Sequence, residues 1–289
     1  MIAQIRPLDP GLYFLATPIG TARDITLRAL DILASADVIA AEDTRTARKL
    51  MEIHGIPVNG RPMVAYHDHN GAAVRPKLLA MIASGKSVAY ASEAGTPLVA
   101  DPGFALARDV VAAGLAVTGA PGPSAVLAAL TLAGLPTDRF LFAGFLPPAS
   151  GARRKVLREL NGCPATLVFF ESAKRLLPSL RDFGTELGED RQIALCRELT
   201  KKFEEIRRGT VAEVRVGCEA DPPRGEVVLV VDRDRSVPTQ ADLDTALRVA
   251  LETMTLKDAA RSVASDLGLA RRDVYQAGLT IGAADQEER

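Results

Sequence analysis

Three short stretches share one design. ATPIG (Ala16 to Gly20), SEAGTP (Ser92 to Pro97) and GAPGPS (Gly119 to Ser124) each set glycine and proline at the end of an apolar run. Glycine lets a ligand approach the backbone, and proline fixes a loop's shape before anything binds. Small alanine, serine and threonine neighbours leave room and offer amides and hydroxyls. One such stretch reads as a tight turn; three at matching positions point to a ligand gripped through the backbone, beyond the carboxyl ends of strands. Near them stand side chains able to move protons or hold charge. AEDTR (Ala41 to Arg45) places two carboxylates and an arginine after an apolar run, where Asp43 or Thr44 can also cap a helix. YHDHN (Tyr66 to Asn70) brings His67 and His69 to one face if extended, with no third His or Cys at metal-ligand spacing. FFESAKR (Phe169 to Arg175) repeats the pattern with Glu171 and Lys174.

These residues need elements to hold them. GLYFLATPIG, DVIAAED, GKSVAYA and LAVTGAP read as apolar strands, whereas DITLRALDILASA, TRTARKLMEIHGI, AAVRPKLLAMIASGK and FALARDVVAAG carry apolar residues at helical spacing. The alternation predicts an α/β domain over 1–118 with a mostly parallel sheet. From 119 to 235 strands follow one another closely (RFLFAGFLP, ATLVFFES, RQIALCREL, EEIRRGTVAEV, GEVVLVVD), which predicts a second α/β domain with a mixed sheet. The remainder, 236–289, reads as helical, and LKDAARSVASDLGLARRDVYQAGL has helix-turn-helix spacing with its turn at Gly268.

With 35 basic and 36 acidic residues among 289, no whole-molecule pull on nucleic acid or membrane is expected. A local surplus exists: 14 Lys/Arg stand against 9 Asp/Glu between Arg139 and Arg208, with clusters at Arg153-Arg154-Lys155, Lys174-Arg175, Lys201-Lys202 and Arg207-Arg208. Together these predict a phosphate-binding face. Cys163, Cys196 and Cys218 form no CxxC pattern and suit a reducing cytosol. No apolar run approaches the ~20 residues that span a bilayer, so a cytoplasmic protein without membrane contact is expected. Dinucleotide, P-loop and nucleophile-elbow fingerprints are absent from the sequence.

The blocks LYFLATPIG, AEDTRTARKL, YHDHN, SEAGTPLVADPG, GAPGPSAVLAAL, FLFAGFLP, FFESAKRL, RELTKKFEE and RGEVVLVV occur in one order over about 11–232. In this the chain resembles the ribosomal RNA small subunit methyltransferase I family of the tetrapyrrole methylase superfamily. It departs where that family usually has Asn-Leu (here Thr21-Ala22), Asp before AGTP (here Glu93) and Pro-His in the ESPHR block (here Ala173-Lys174). The resemblance implies two α/β domains with S-adenosylmethionine in the cleft between them, a C-terminal helical tail and a homodimer. It also implies cofactor contacts by Ala94, Gly95, Thr96, Ser124, Ala125, Phe170, Gly225 and Glu226. The activity implied is 2′-O-methylation of a cytidine in the decoding region of 16S rRNA, within the small ribosomal subunit or as free RNA.

A ribose hydroxyl is a weak nucleophile near neutral pH, so a group that accepts its proton is expected. Asp43, His67 and Glu171 are the candidates, and Lys174 is an electrostatic alternative. Arg45, Arg153, Arg154, Lys155, Lys201 and Lys202 are expected to hold RNA phosphates. Two rival readings stand beside this one: methylation of a precorrin-type tetrapyrrole, and a non-catalytic ribosome-binding factor.

Overall fold

The computed structural model describes residues 3–100, 103–234 and 240–287. The chain forms two compact units, Met1–Asn161 with Ala165–Asp232, and Gly162–Pro164 with Arg233–Arg289. The larger unit is built on two five-stranded sheets.

The first sheet contains β1 (Gly11–Leu15), β2 (Val38–Ala41), β3 (Met63–Ala65), β4 (Ser87–Ala91) and β5 (Val117–Ala120), in the order β3-β2-β4-β1-β5. All its pairs are parallel. Parallel neighbours require crossovers, which α1 (Leu27–Ser35), α2 (Thr44–Ile53), α3 (Gly71–Ala83) and α4 (Phe104–Ala112) provide. Central β2 and β4 are buried along their whole length, which explains their unbroken apolar sequences. One face packs Leu15, Ile39 and Ala89 on Leu33 and Met51; the other packs Leu12, Val88 and Tyr90 on Leu78 and Leu106. Because the strands run the same way, ATPIG, AEDTR, YHDHN, SEAGTP and GAPGPS all leave from one edge of this sheet.

The second sheet contains β6 (Phe140–Phe145), β7 (Thr166–Ser172), β8 (Gln192–Arg197), β9 (Glu205–Thr210) and β10 (Glu226–Val231), in the order β6-β7-β10-β8-β9. Only the β6–β7 pair is parallel. Its helices are α5 (Ala125–Ala133), α6 (Ser150–Leu160), α7 (Leu176–Leu187) and α8 (Val211–Ala220). The core of α5 against Val168, Ala194, Cys196, Val228 and Val230 also receives Ile19, from the ATPIG loop of the first sheet.

Two sequence expectations are corrected. EEIRRGTVAEV is not one strand: it stops at Thr210, whose hydroxyl accepts from the Glu213 amide (3.2 Å) while Glu213 accepts from the Thr210 amide (2.8 Å). This reciprocal cap starts α8. The first sheet also runs through 118/119 to Ala120, because β5 pairs with β1 across that point. The expected boundary at 235/236 lies outside the described residues.

In the smaller unit, α9 (Gln240–Leu251), α10 (Leu256–Leu267) and α11 (Arg271–Glu287) pack around Leu247, Ala260, Val263 and Val274. Gly268 closes α10 in the left-handed conformation (φ +65°), where the helix-turn-helix spacing puts its turn. Among the described residues no helix is long and apolar enough to cross a membrane.

Candidate functional site

The loops of the first sheet and the strand ends of the second enclose a cavity of about 380 Å³, within the range of small-molecule sites. Ala94, Gly95 and Thr96 line it from SEAGTP, Ser124 and Ala125 from the start of α5, Phe170 from β7, and Gly225 with Glu226 from the start of β10. The structure thus brings all eight expected cofactor contacts to one place. Ile19, Val99, Ala100 and Phe145 line it as well, and sequence reasoning missed them.

Backbone bonds hold the near wall. Thr17 and Gly95 exchange two hydrogen bonds of 3.0 Å, and Thr96 Oγ1 donates to the Pro123 carbonyl (2.9 Å), tying SEAGTP to GAPGPS. Gly95 has φ +81°, and a Cβ there would stand 3.2 Å from Ile19 Cγ2. On the far side Lys201 Nζ bridges Glu198 Oε1 (3.1 Å) and Glu226 Oε2 (2.6 Å). Burial pulls the Lys201 pKa down, but its bonds to Glu226 and Glu198 outweigh that and hold it above the ordinary value. The Thr21 amide donates to Thr200 Oγ1 (3.2 Å), so the ATPIG loop and the β8–β9 loop touch. Non-glycine residues with positive φ occur at Leu98 and Ala100 in the loop after β4, at Glu198 and Thr200 in the β8–β9 loop, and at Asn59 elsewhere among the described residues. Such conformations cost roughly 1–3 kcal/mol each and concentrate at ligand clamps.

The cavity suits S-adenosylmethionine. Ile19, Val99, Phe145, Phe170, Val227 and Val228 make an apolar wall for a purine, and the Phe145 and Phe170 rings meet edge to face at 5.5 Å. The nine-residue α5 begins at this cavity, and Ser124 makes no side-chain cap bond. The start of a helix is where an amino-acid carboxylate gains from unpaired amides and the helix dipole.

The AEDTR, YHDHN and SEAGTP segments leave neighbouring strands of the first sheet side by side. Ala41 pairs with both Ala65 and Ala91, so Glu42 emerges between Tyr66-His67 on one side and Ser92-Glu93 on the other. Burial raises the Glu42 pKa, and the charges of Glu93 and Asp68 raise it further, against the pull of His67. His67 Nδ1 is buried with no hydrogen-bond partner, which a ligand would relieve. The sequence shows Glu42 only as the neighbour of Asp43; the strand register distinguishes them.

Asp43 is the N-cap of α2, accepting from the Arg45 amide (2.8 Å) and from the Arg45 guanidinium (2.7 Å). Those bonds lower its pKa to about 2, which makes it a poor proton acceptor and corrects the expectation of a base. Glu171 lines the cavity, but its carboxylate has no exposed surface. It accepts from Arg175 (2.7 Å), the Ser172 amide (2.7 Å) and Ser179 Oγ (2.6 Å). So engaged, it anchors β7 to α7 and is not poised to accept a proton. Lys174 is exposed in the turn after β7.

The expected phosphate-binding face is also corrected. Arg153 is 3% exposed and bonds Asp182 (2.5 Å) and the Pro148 carbonyl (3.1 Å). Arg154 pairs with Glu186 (2.6 Å), Arg207 with Glu205 (2.7 Å), and Arg208 bonds carbonyls at the end of α5. Lys201 is held by the two glutamates. Lys155 and Lys202 are exposed, and Arg45 is 90% exposed while bonded to Asp43. Most of the cationic surplus therefore serves internal bonds.

Comparison with known proteins agrees with this geometry. The family described as tetrapyrrole (corrin/porphyrin) methylases matches residues 11–215, and the RsmI C-terminal HTH domain matches 237–282. A ribosomal RNA small subunit methyltransferase I of Mesorhizobium japonicum is 47% identical over 94% of this chain and 92% of its own. One of Erythrobacter litoralis is 48% identical over 95% and 96%. Among solved structures, the methyltransferase CobJ superposes with a TM-score of 0.59 at 22% identity, covering 77% of this chain and 94% of its own. Diphthine synthase does so with 0.59 at 16%, covering 76% and 90%. The fold is shared widely, whereas the sequence match is close along nearly the whole chain. The chain belongs to the tetrapyrrole (corrin/porphyrin) methylases, S-adenosylmethionine-dependent methyltransferases, and within them to the ribosomal RNA small subunit methyltransferase I family.

Proposed function

We infer that this protein methylates the 2′-hydroxyl of a cytidine in the decoding region of 16S rRNA, as a cytoplasmic homodimer acting on the small ribosomal subunit. The observation that carries this reading is the 47–48% identity, over nearly full length, to relatives named for small-subunit ribosomal RNA methylation. Tetrapyrrole methylation has only the shared fold behind it, and fold does not choose a substrate.

S-Adenosylmethionine supplies an activated methyl group. Ala94, Gly95, Thr96, Ser124, Ala125, Phe170, Gly225 and Glu226 would hold it, with Phe145 and Ile19 closing the apolar wall. The protein's remaining task is alignment of the ribose oxygen and removal of its proton. Glu42 accepts that proton: it leaves its strand beside the SEAGTP loop and, unlike Asp43, keeps a proton affinity above that of an ordinary carboxylate. His67 stands next to it at the end of the neighbouring strand and its charge favours the base form of Glu42. Lys155, Lys202 and Arg45 contact phosphates, and the helical unit adds RNA contacts of its own.

The test offers methyl-labelled cofactor with undermethylated small subunits, naked 16S rRNA and a precorrin-type tetrapyrrole in parallel. Label on one decoding-region ribose is the expected result. Label on the tetrapyrrole alone would overturn the substrate while leaving the cofactor site intact.

A further inference from the structure

Phe203, in the β8–β9 loop, is an aromatic left in water. The chain has nine phenylalanines, four tyrosines and no tryptophan, yet this ring is 61% exposed. The loop that carries it is held firmly. Glu198 and Thr200 take left-handed conformations, Thr200 receives the Thr21 amide, and Lys201 bonds Glu226, a residue of the cavity wall. The Thr200 amide donates to Glu204 Oε2 (2.6 Å), and Arg197 Nε donates to the Phe203 carbonyl (3.4 Å). Loop and ring are thus presented at a fixed place, two residues beyond the side chain that touches the cofactor site. The Lys202 ammonium lies 5.5 Å from the ring centroid, which sets a cation beside an aromatic face.

We propose that Phe203 is a stacking platform for an unpaired base of the RNA substrate, with Lys202 at the adjoining phosphate. The pairing of a flat apolar face with a cation is what single-stranded RNA recognises, since every base has a π-face and every linkage a charge. A rigid loop loses little freedom on binding, so the stacking energy goes to holding the strand next to the cavity. The inference rests on the RNA reading above and adds to it the residue that positions the strand.

Phe203→Ala, Phe203→Leu and Phe203→Trp are compared with the unaltered protein on undermethylated small subunits. Cofactor binding is followed by calorimetry and oligomeric state by sedimentation. The alanine and leucine variants should lose about 5- to 150-fold in kcat/KM for RNA, and tryptophan should retain activity. Cofactor affinity and sedimentation should match the unaltered protein. Full activity of the leucine variant would overturn the proposal, because leucine keeps the apolar contact and removes only the ring. A changed sedimentation coefficient would overturn it too, by making Phe203 a contact between copies. If the unaltered protein labels no RNA, the substrate reading falls and takes this proposal with it; labelling that is insensitive to Phe203 sinks the stacking role alone.

Discussion

Gly20→Ala tests the contact between the two loops that close the cavity. Its added methyl would stand 2.5 Å from Thr200 Oγ1, 2.6 Å from Lys201 Cγ and 2.9 Å from the Leu199 carbonyl oxygen. The hydroxyl and the lysine stem can rotate, but the carbonyl is backbone, so the loops must part. Overpacking of this kind costs about 1–3 kcal/mol. Losing the Thr21–Thr200 hydrogen bond adds about 1 kcal/mol. At about 2–4 °C per kcal/mol for a unit of this size, Tm should fall by roughly 4–16 °C. Without cofactor the loops relax by separating; with cofactor they must close again. If half the strain returns on binding, affinity for S-adenosylmethionine drops about 5- to 30-fold. The control is the same chemical change at Gly217 in α8, where an added Cβ meets nothing within 4 Å. There alanine should stabilise by about 0.5–1 kcal/mol, because it removes the entropic cost of a helical glycine. Thermal scans and calorimetric titration read both. Equal Tm and equal cofactor affinity for Gly20→Ala and the unaltered protein would refute the contact, and a Tm loss for Gly217→Ala would refute the reasoning from space.

Four further outcomes follow from particular side chains. Glu42→Gln should remove most RNA methylation with cofactor binding intact. Because the Glu42 pKa is raised, the base form is lost as pH falls through a value above that of ordinary glutamate. Glu93→Gln takes away a charge that raises it, so the acid limb of kcat/KM should move to lower pH; an unmoved limb would remove Glu42 from the reaction. Arg153→Met strands the Asp182 carboxylate and should destabilise by about 3–5 kcal/mol in denaturant titration, while the folded fraction binds RNA as before. The Cys196 thiol is pushed up to about 12 by burial, against the pull of Arg208, so at pH 8 a thiol reagent should modify half-buried Cys163 and leave Cys196 until the protein unfolds. Mass spectrometry of the native and unfolded protein checks this.

The first sheet was legible because its strands announce themselves locally. VIAA is apolar throughout and SVAYA nearly so, and helices of this sheet carry their own cap or glycine stop, such as Thr26 before α1 and Gly55 (φ +67°) after α2. The second sheet was legible as strands but not as an order. Placing β10 between β7 and β8 joins segments far apart in sequence, and no local pattern encodes that insertion. The Thr210–Glu213 cap was on view, since serine or threonine followed three residues later by glutamate is a start signal; the β-branched neighbours of Thr210 masked it. Glycine-rich loops foretold a site because a backbone-gripping loop advertises itself by composition. Charges did not. Arg153 meets Asp182 across 29 positions and Arg154 meets Glu186 across 32, so a cluster that looks free in sequence is consumed in the fold.

That consumption bears on how one scaffold serves different substrates. CobJ and diphthine synthase share this fold at 16–22% identity, so what they hold in common must lie in geometry that tolerates most substitutions. Backbone contacts from SEAGTP and the start of α5 have that property, because an amide survives a change of side chain. The cofactor site can therefore persist while side chains drift. Substrate choice needs the opposite: exposed side chains in loops fixed by the backbone but free in sequence. Here the candidates narrow sharply once internal ion pairs are subtracted. Glu42 and His67 remain at the edge of the first sheet, and Phe203 with Lys202 remains on the loop that the ATPIG turn clamps. None of these four lines the cavity. Substitutions among them should therefore alter what is methylated, or how fast, without altering what supplies the methyl.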